Sequence, residues 1–119
     1  MLSTLDKNAV KIFLKLCKTE IKKGNCKFIN YRKVKVNGKV KNALQELFDI
    51  GIMKIEDIWN YVLDLDSNEC FKISFDYDKR RDNNSEIYEF IKIINKKKVY
   101  IKLTYRNKVI CLSFHESNY

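Results

Sequence analysis

Hydrophobic residues in the first part of the chain recur with the period of an α-helix. One apolar stripe occupies positions i, i+3, i+4, i+7 and i+11 and consists of Val10, Phe13, Leu14, Cys17 and Ile21. The opposite side carries Lys7, Lys11, Lys15, Lys18 and Lys22. The pattern predicts a basic amphipathic helix that Ser3 or Thr4 caps and Gly24 ends, packed through its apolar stripe on a core.

The next part of the chain gives mixed signals. Residues 26–36 alternate loosely between apolar and basic side chains, which fits either a strand or an exposed basic loop. Asn37-Gly38 is typical of a tight hairpin turn, but the residues after it place apolar side chains at helical spacing. We therefore predict a helix that Asn37 caps and Gly51 ends. A third helix is predicted over about residues 54–65. Its buried stripe is Ile55, Ile58, Trp59 and Val62, and its outward acids are Glu56, Asp57 and Asp64.

From residue 70 onward the apolar period becomes that of a β-strand. Strict alternation marks residues 70–77, 98–105 and 108–115, and the largely apolar residues 86–94 are predicted as a further strand. Taking Arg106-Asn107 as a two-residue loop fixes the register of the last two strands. That register pairs Leu103 with Ile110, Ile101 with Leu112 and Val99 with Phe114. All six apolar side chains would then share one face of the sheet.

The predicted fold is one α+β domain over residues 1–119, with N-terminal helices packed on one face of a mostly antiparallel C-terminal sheet. Alternation along the strands gathers polar side chains on the other face: Lys72, Ser74, Tyr100, Lys102, Ser113 and His115. The strand over residues 86–94 is apolar on both alternations, so the pattern leaves open whether Tyr88, Phe90 and Lys92 join this polar face.

Charge points to a polyanionic partner. The chain has 24 Lys and Arg against 15 Asp and Glu, a net charge of +9. Residues 7–41 hold twelve basic side chains and one acid (+11), whereas residues 42–71 hold one basic side chain and seven acids (−6). Clustering of this kind favours a nucleic acid as that partner. The candidate RNA-binding residues are Lys79, Arg80 and Arg81 in a polar loop, with Tyr88 and Lys92 on the following strand.

Cysteine spacing argues against a metal site. Cys17, Cys26, Cys70 and Cys111 form no Cys-x-x-Cys pair, and His115 alone does not complete a zinc signature. We therefore expect no metal and no cofactor. Lysines interrupt the N-terminal segment every few residues, so it matches neither a signal peptide nor a membrane span. We expect a cytoplasmic protein with reduced thiols and no membrane partner.

Four fragments carry a resemblance to a known family. In chain order they are NALQELFDIGI, DIWNYVLDLDSNECFKIS, VYIKLTY and VICLSFHE. Together they resemble the MqsR-type toxins, the motility quorum-sensing regulator family of bacterial mRNA interferases, which are relatives of the RelE-like ribonuclease toxins. The likeness covers about residues 40–116 and leaves the basic residues 1–38 outside it.

The resemblance implies a RelE-like fold and a ribosome-independent endoribonuclease of a type II toxin–antitoxin system. A cognate antitoxin, commonly a zinc-containing helix-turn-helix repressor, would hold it inactive. The family's sheet lysine falls on Lys72 and its tyrosine on Tyr100. The family's terminal lysine is replaced by His115, and its glutamine has no clear counterpart near residues 86–88.

The polar residues also suit metal-free RNA cleavage on chemical grounds. That reaction needs a group that takes the 2′-OH proton, a cation that stabilises the pentavalent phosphate and an acid that protonates the 5′-oxygen. Lys72 and Lys102 can supply the charge, His115 can move the proton, and Tyr100 can donate or orient a hydrogen bond. Two alternatives stay open. One is a non-catalytic RNA-binding or protein-binding regulator or inhibitor of the kind that mobile elements encode; the other is an inactive family member.

Overall fold

The first helix forms where the apolar stripe predicts it. The computed structural model describes residues 6–29, 33–36, 38–77 and 84–117. Helix α1 spans Lys7–Lys22 and buries all five residues of the predicted stripe. Its cap is Asp6, whose carboxylate accepts from two backbone N–H groups of the first turn, whereas the predicted caps lie outside the described residues. Gly24 follows the helix with a φ of +80°, which confirms it as the terminator.

A short hairpin replaces the first part of the predicted second helix. Strand β1 spans Cys26–Phe28, β2 spans Lys33–Val36 and β3 spans Lys39–Asn42, with β2 and β3 paired antiparallel. The predicted cap at Asn37 is therefore wrong, although Asn37 itself lies outside the described residues. Asn42 caps the helix instead, through reciprocal side-chain and backbone hydrogen bonds with Gln45.

The second and third helices are shorter than predicted. Helix α2 spans Ala43–Asp49 and ends just before Gly51, as expected. A 3₁₀ turn over Ile55–Asp57 leads into α3, Ile58–Leu63, and a second 3₁₀ turn covers Ser67–Glu69. On α3, Ile58 and Val62 are fully buried as predicted.

The C-terminal half forms the predicted sheet. Strands β4 (Cys70–Tyr77), β5 (Asn84–Ile94), β6 (Lys97–Tyr105) and β7 (Val109–Glu116) follow one another. The sheet order is β1-β7-β6-β5-β4, and among these pairings only β1 with β7 is parallel. The α+β class is thereby confirmed. The link from β5 to β6 is a two-residue turn with positive φ at both Asn95 and Lys96, the conformation that matches the twist of paired strands.

The register of β6 and β7 differs from the predicted one. Leu103 pairs with Cys111 and Ile101 with Phe114, not with Ile110 and Leu112. The loop takes three residues rather than two, and an irregularity beside Lys102 inserts one extra residue into β7. The buried face of β7 therefore comes from Val109, Cys111 and Phe114.

A second bulge lies in β4, between Cys70 and Lys72. Strict alternation predicts that Phe71 faces the core. Because of the bulge it faces away from the core instead, and its side chain is 47% exposed. Cys70 faces the core in its place, 6% exposed. The bulge is thus what brings an aromatic ring to the polar side of β4.

The core lies between the sheet and the helices. Ring stacking between Phe13 of α1 and Tyr88 of β5, with centroids 3.7 Å apart, joins the two layers. Around it pack fully buried aliphatic and aromatic side chains, among them Val10, Val62, Phe90, Val99, Ile101 and Leu103. Among the described residues, no helix is both long and apolar enough to cross a membrane.

Candidate functional site

The structure brings the six predicted polar residues together on one face of the sheet. In the strand register, Lys72 of β4 lies opposite Glu89 of β5, and Glu89 lies opposite Lys102 of β6. Lys102 in turn lies opposite Ser113 of β7, so these four side chains form a row across four strands. Tyr100 lies opposite His115 one step along, on the same face. We call this surface the polar face; it consists of Lys72, Ser74, Glu89, Tyr100, Lys102, Ser113 and His115.

Glu89 is at the centre of the polar face. The Tyr100 hydroxyl and the Ser74 hydroxyl both donate to its carboxylate, the latter at 3.4 Å. Lys72 Nζ lies 3.9 Å from Glu89 Oε2. Glu89 is 7% exposed, and a buried carboxylate is costly unless hydrogen bonds and a cation compensate it. Its neighbours provide both, and Glu89 in turn fixes where the Tyr100 hydroxyl points.

Three rings line up beside this carboxylate. The Tyr100 ring stacks on His115 with centroids 5.4 Å apart, and Phe71 lies tilted against Tyr100 at 6.1 Å. Exposed rings beside lysines form the usual surface for unpaired nucleotide bases, since every base has a face that stacks. In the row of Phe71, Tyr100 and His115, Phe71 is exposed and the other two rings are half-buried, so the row offers a base a stacking surface beside the charge of Lys72 and Lys102.

The orientation of the His115 imidazole follows from its hydrogen bond. Nδ1 lies 2.9 Å from the backbone carbonyl oxygen of Glu116. A carbonyl oxygen only accepts, so Nδ1 carries the hydrogen in this contact. Nε2 is then the ring atom that keeps a lone pair and can accept a proton.

Two residues assigned to RNA binding lie on the opposite side of the sheet. Tyr88 is 5% exposed, stacked on Phe13, and its hydroxyl donates to Glu86 at 2.6 Å. Lys92 is 9% exposed and forms ion pairs with Asp64 at 3.1 Å and Glu69 at 3.4 Å. Both side chains face the helices, because this set of alternate residues on β5 points toward the core. Their assignment to an RNA surface is corrected accordingly.

Lys79, Arg80 and Arg81 lie outside the described residues, so their assignment to RNA contact stays a prediction. The described residues contain no group of three His, Cys, Asp or Glu side chains placed to hold a metal ion. The residues of the polar face are instead those of proton transfer and phosphate binding: a carboxylate, an imidazole, a phenol and two ammonium groups.

The cysteines are not arranged as nucleophiles. Burial raises the pKa of Cys17 to about 12, and it also raises the pKa of Cys111. Cys26 and Cys70 also have raised pKa values, again because of burial. Thiols with raised pKa values carry little thiolate near neutral pH, so these four side chains pack as small apolar groups.

Sequence reasoning missed Glu89 and Phe71. The signal for Glu89 was an acid in the middle of the apolar run IYEFI, where a charge needs partners on neighbouring strands. Phe71 carried no such signal, because only the β4 bulge moves it to the polar face. No protein-family model, curated protein or solved structure matches this chain.

Proposed function

We propose that this protein is a metal-independent endoribonuclease that cleaves single-stranded RNA through attack by the 2′-oxygen. The observation that carries the proposal is the joining of Lys72, Glu89, Tyr100 and His115 into one contact chain on the polar face, next to Lys102. These are the groups that phosphodiester cleavage by 2′-OH attack requires.

The reaction forms one bond to phosphorus, breaks another and transfers two protons. The 2′-oxygen bonds to phosphorus while its proton passes to a base, and the bond from phosphorus to the 5′-oxygen breaks as an acid protonates that oxygen. His115 Nε2 and the Glu89 carboxylate are the groups that exchange protons. Lys72 and Lys102 stabilise the extra negative charge on the phosphate, and Tyr100 positions both proton-exchanging groups. The products are a 2′,3′-cyclic phosphate and a 5′-hydroxyl.

The fragments that resemble MqsR-type toxins support a narrower version of this proposal. The chain would then act in the cytoplasm as the mRNA interferase of a type II toxin–antitoxin pair, with a RelE-like fold. Lys72 and Tyr100 both fall on the polar face, at the positions to which the resemblance assigns the family's lysine and tyrosine. A cognate antitoxin would inhibit the enzyme by covering this face.

The decisive test is cleavage of a defined mRNA in EDTA by purified protein, with mapping of the new RNA ends. We expect cyclic-phosphate and 5′-hydroxyl ends and full activity in EDTA. His115→Ala should abolish cleavage, while Lys54→Ala, at an exposed lysine just before the 3₁₀ turn Ile55–Asp57, should leave it unchanged. Activity that disappears in EDTA and returns only with magnesium would contradict the mechanism.

A non-catalytic RNA-binding regulator is the second candidate. The aromatic row favours it, because Phe71, Tyr100 and His115 suit base stacking whether or not cleavage follows. Under this alternative, RNA binds in a way that depends on these rings and the mapped RNA ends stay intact.

A further inference from the structure

A small pocket adjoins the polar face where α2 meets β7. Its volume is about 140 Å³. Apolar side chains form most of its wall, namely Phe28, Ile29, Ala43, Leu112 and Phe114. Ser113 and His115 line the pocket as well, so it shares two residues with the polar face. Any group held in this pocket therefore lies next to the proposed cleavage site.

The pocket contains a buried acid. Glu46 of α2 lines the pocket and is only 7% exposed. Its Oε1 has no hydrogen-bond partner, and it is the one buried side-chain oxygen or nitrogen atom in that situation within residues whose side chains the structure describes. Leaving a buried acceptor unpaired destabilises a fold, so a donor supplied by a ligand or by a water molecule would stabilise Glu46 Oε1.

We propose that this pocket binds the base of a guanine nucleotide, with Glu46 accepting from its N1–H and N2–H groups. A carboxylate has two acceptor oxygens, and guanine presents two adjacent donors on its Watson–Crick edge. Adenine and cytosine place a ring acceptor beside their amino group, and uracil flanks its single N–H with two carbonyls, so each would set an acceptor against Glu46. The apolar wall receives the flat faces of the base, and Phe28 offers a ring.

The proposal rests on the proposed function for its RNA context. A guanine seated beside Ser113 and His115 would place its ribose and phosphate toward the polar face. The pocket would then select which nucleotide lies next to the cleaved bond. A free guanine nucleotide presents the same base as a guanine in RNA, so the test includes both a free nucleotide and a short RNA.

The test is calorimetric titration, which does not require cleavage. We expect 5′-GMP to bind at least about tenfold more tightly than 5′-IMP, which lacks the N2 amino group, and more tightly still than 5′-AMP. Glu46→Gln should remove this preference, whereas Glu56→Gln, at an exposed acid on another element, should preserve it. Equal affinity for 5′-GMP and 5′-AMP, or a preference that survives Glu46→Gln, would overturn the proposal.

Two controls keep the outcomes separate. Glu46→Gln should have a Tm equal to or above that of the parent, since a neutral amide replaces an unpaired buried carboxylate, and this shows that the variant folds. A 2′-O-methyl guanylyl dinucleotide that cannot be cleaved should bind with the same Glu46 dependence as 5′-GMP. Binding of 5′-GMP alone would overturn the RNA subsite and assign the pocket to free nucleotides. Glu46-dependent guanine binding by a protein that leaves RNA intact would overturn the proposed function and not the pocket.

Discussion

The hydroxyl of Tyr100 donates across the sheet to the buried carboxylate of Glu89, while the ring of the same tyrosine stacks on His115. Tyr100 therefore connects the two groups to which we assign proton exchange. It also links the central strands β5 and β6 on the side away from the helices. This connection makes the chemistry of the polar face and the stability of the sheet depend on one side chain.

Lys72→Ala should reduce RNA cleavage about a hundredfold or more and leave the fold intact. A phosphate contact made in the transition state contributes about 2 to 4 kcal/mol to lowering the barrier. The Lys72 side chain is 60% exposed, so its removal leaves no cavity in the fold. Single-turnover cleavage rates and circular dichroism check both parts. Lys108→Ala, at an exposed lysine in the β6–β7 loop, is the matched control. Equal rates for the two variants would exclude Lys72 from the reaction.

Tyr100→Phe should lower both activity and stability, because it leaves Glu89 with one donor fewer. An acceptor left short of a hydrogen bond in a buried position costs about 1 to 3 kcal/mol in the free energy of unfolding. Urea unfolding of Tyr100→Phe, Glu89→Gln and the double variant measures the coupling. We expect the double variant to lose clearly less than the sum of the single losses. Additive losses would show that the two side chains do not interact.

The lysines of α1 give a salt-dependent prediction. Lys11, Lys15, Lys18 and Lys22 line a groove with the segment around Leu65. If they contact RNA phosphates, replacing all four with Gln should flatten the slope of log K against log salt by about 0.7 for each lost contact on a single strand. An unchanged slope with weaker binding of the proposed antitoxin would assign the helix to that protein interface. No change in either would leave Lys11, Lys15 and Lys22 as the solvated side of a packed helix and Lys18 as a donor to the Leu65 carbonyl oxygen.

Alkaline pH should destabilise the protein through its buried thiols. The pKa of Cys17 rises from an ordinary 9.0 to about 12 because of burial. Between those values the unfolded chain loses a proton that the folded chain keeps, so stability falls as pH rises from 9 toward 12. Each such group contributes a slope of about 1.4 kcal/mol per pH unit.

Cys17→Ala isolates this effect. The variant should be less stable at neutral pH, because it loses packing at a fully buried position. Its free energy of unfolding, measured in urea at several pH values above 9, should nevertheless fall less steeply than that of the parent. Parallel slopes would mean that Cys17 does not titrate differently in the two states.

The sequence by itself determined the elements whose pattern is local. Five apolar residues at helical spacing identified α1 and its buried side, because a helix repeats its own faces whatever packs against it. Alternation located β4, β6 and β7 in the same way, and it gathered Lys72, Tyr100 and His115 on one face.

The tertiary structure decided the features that depend on a neighbouring strand or helix. Bulges in β4 and β7 exist only relative to the neighbouring strand, so strict alternation misplaced Phe71 and Leu112. β5 is apolar on both sides, and the stacking of Phe13 on Tyr88 selects the side that faces the helices. That choice sends Glu89 to the polar face and buries Lys92 beneath acids from another segment. A residue's neighbours across the sheet are absent from its local pattern, which is why the centre of the site emerged only from the fold.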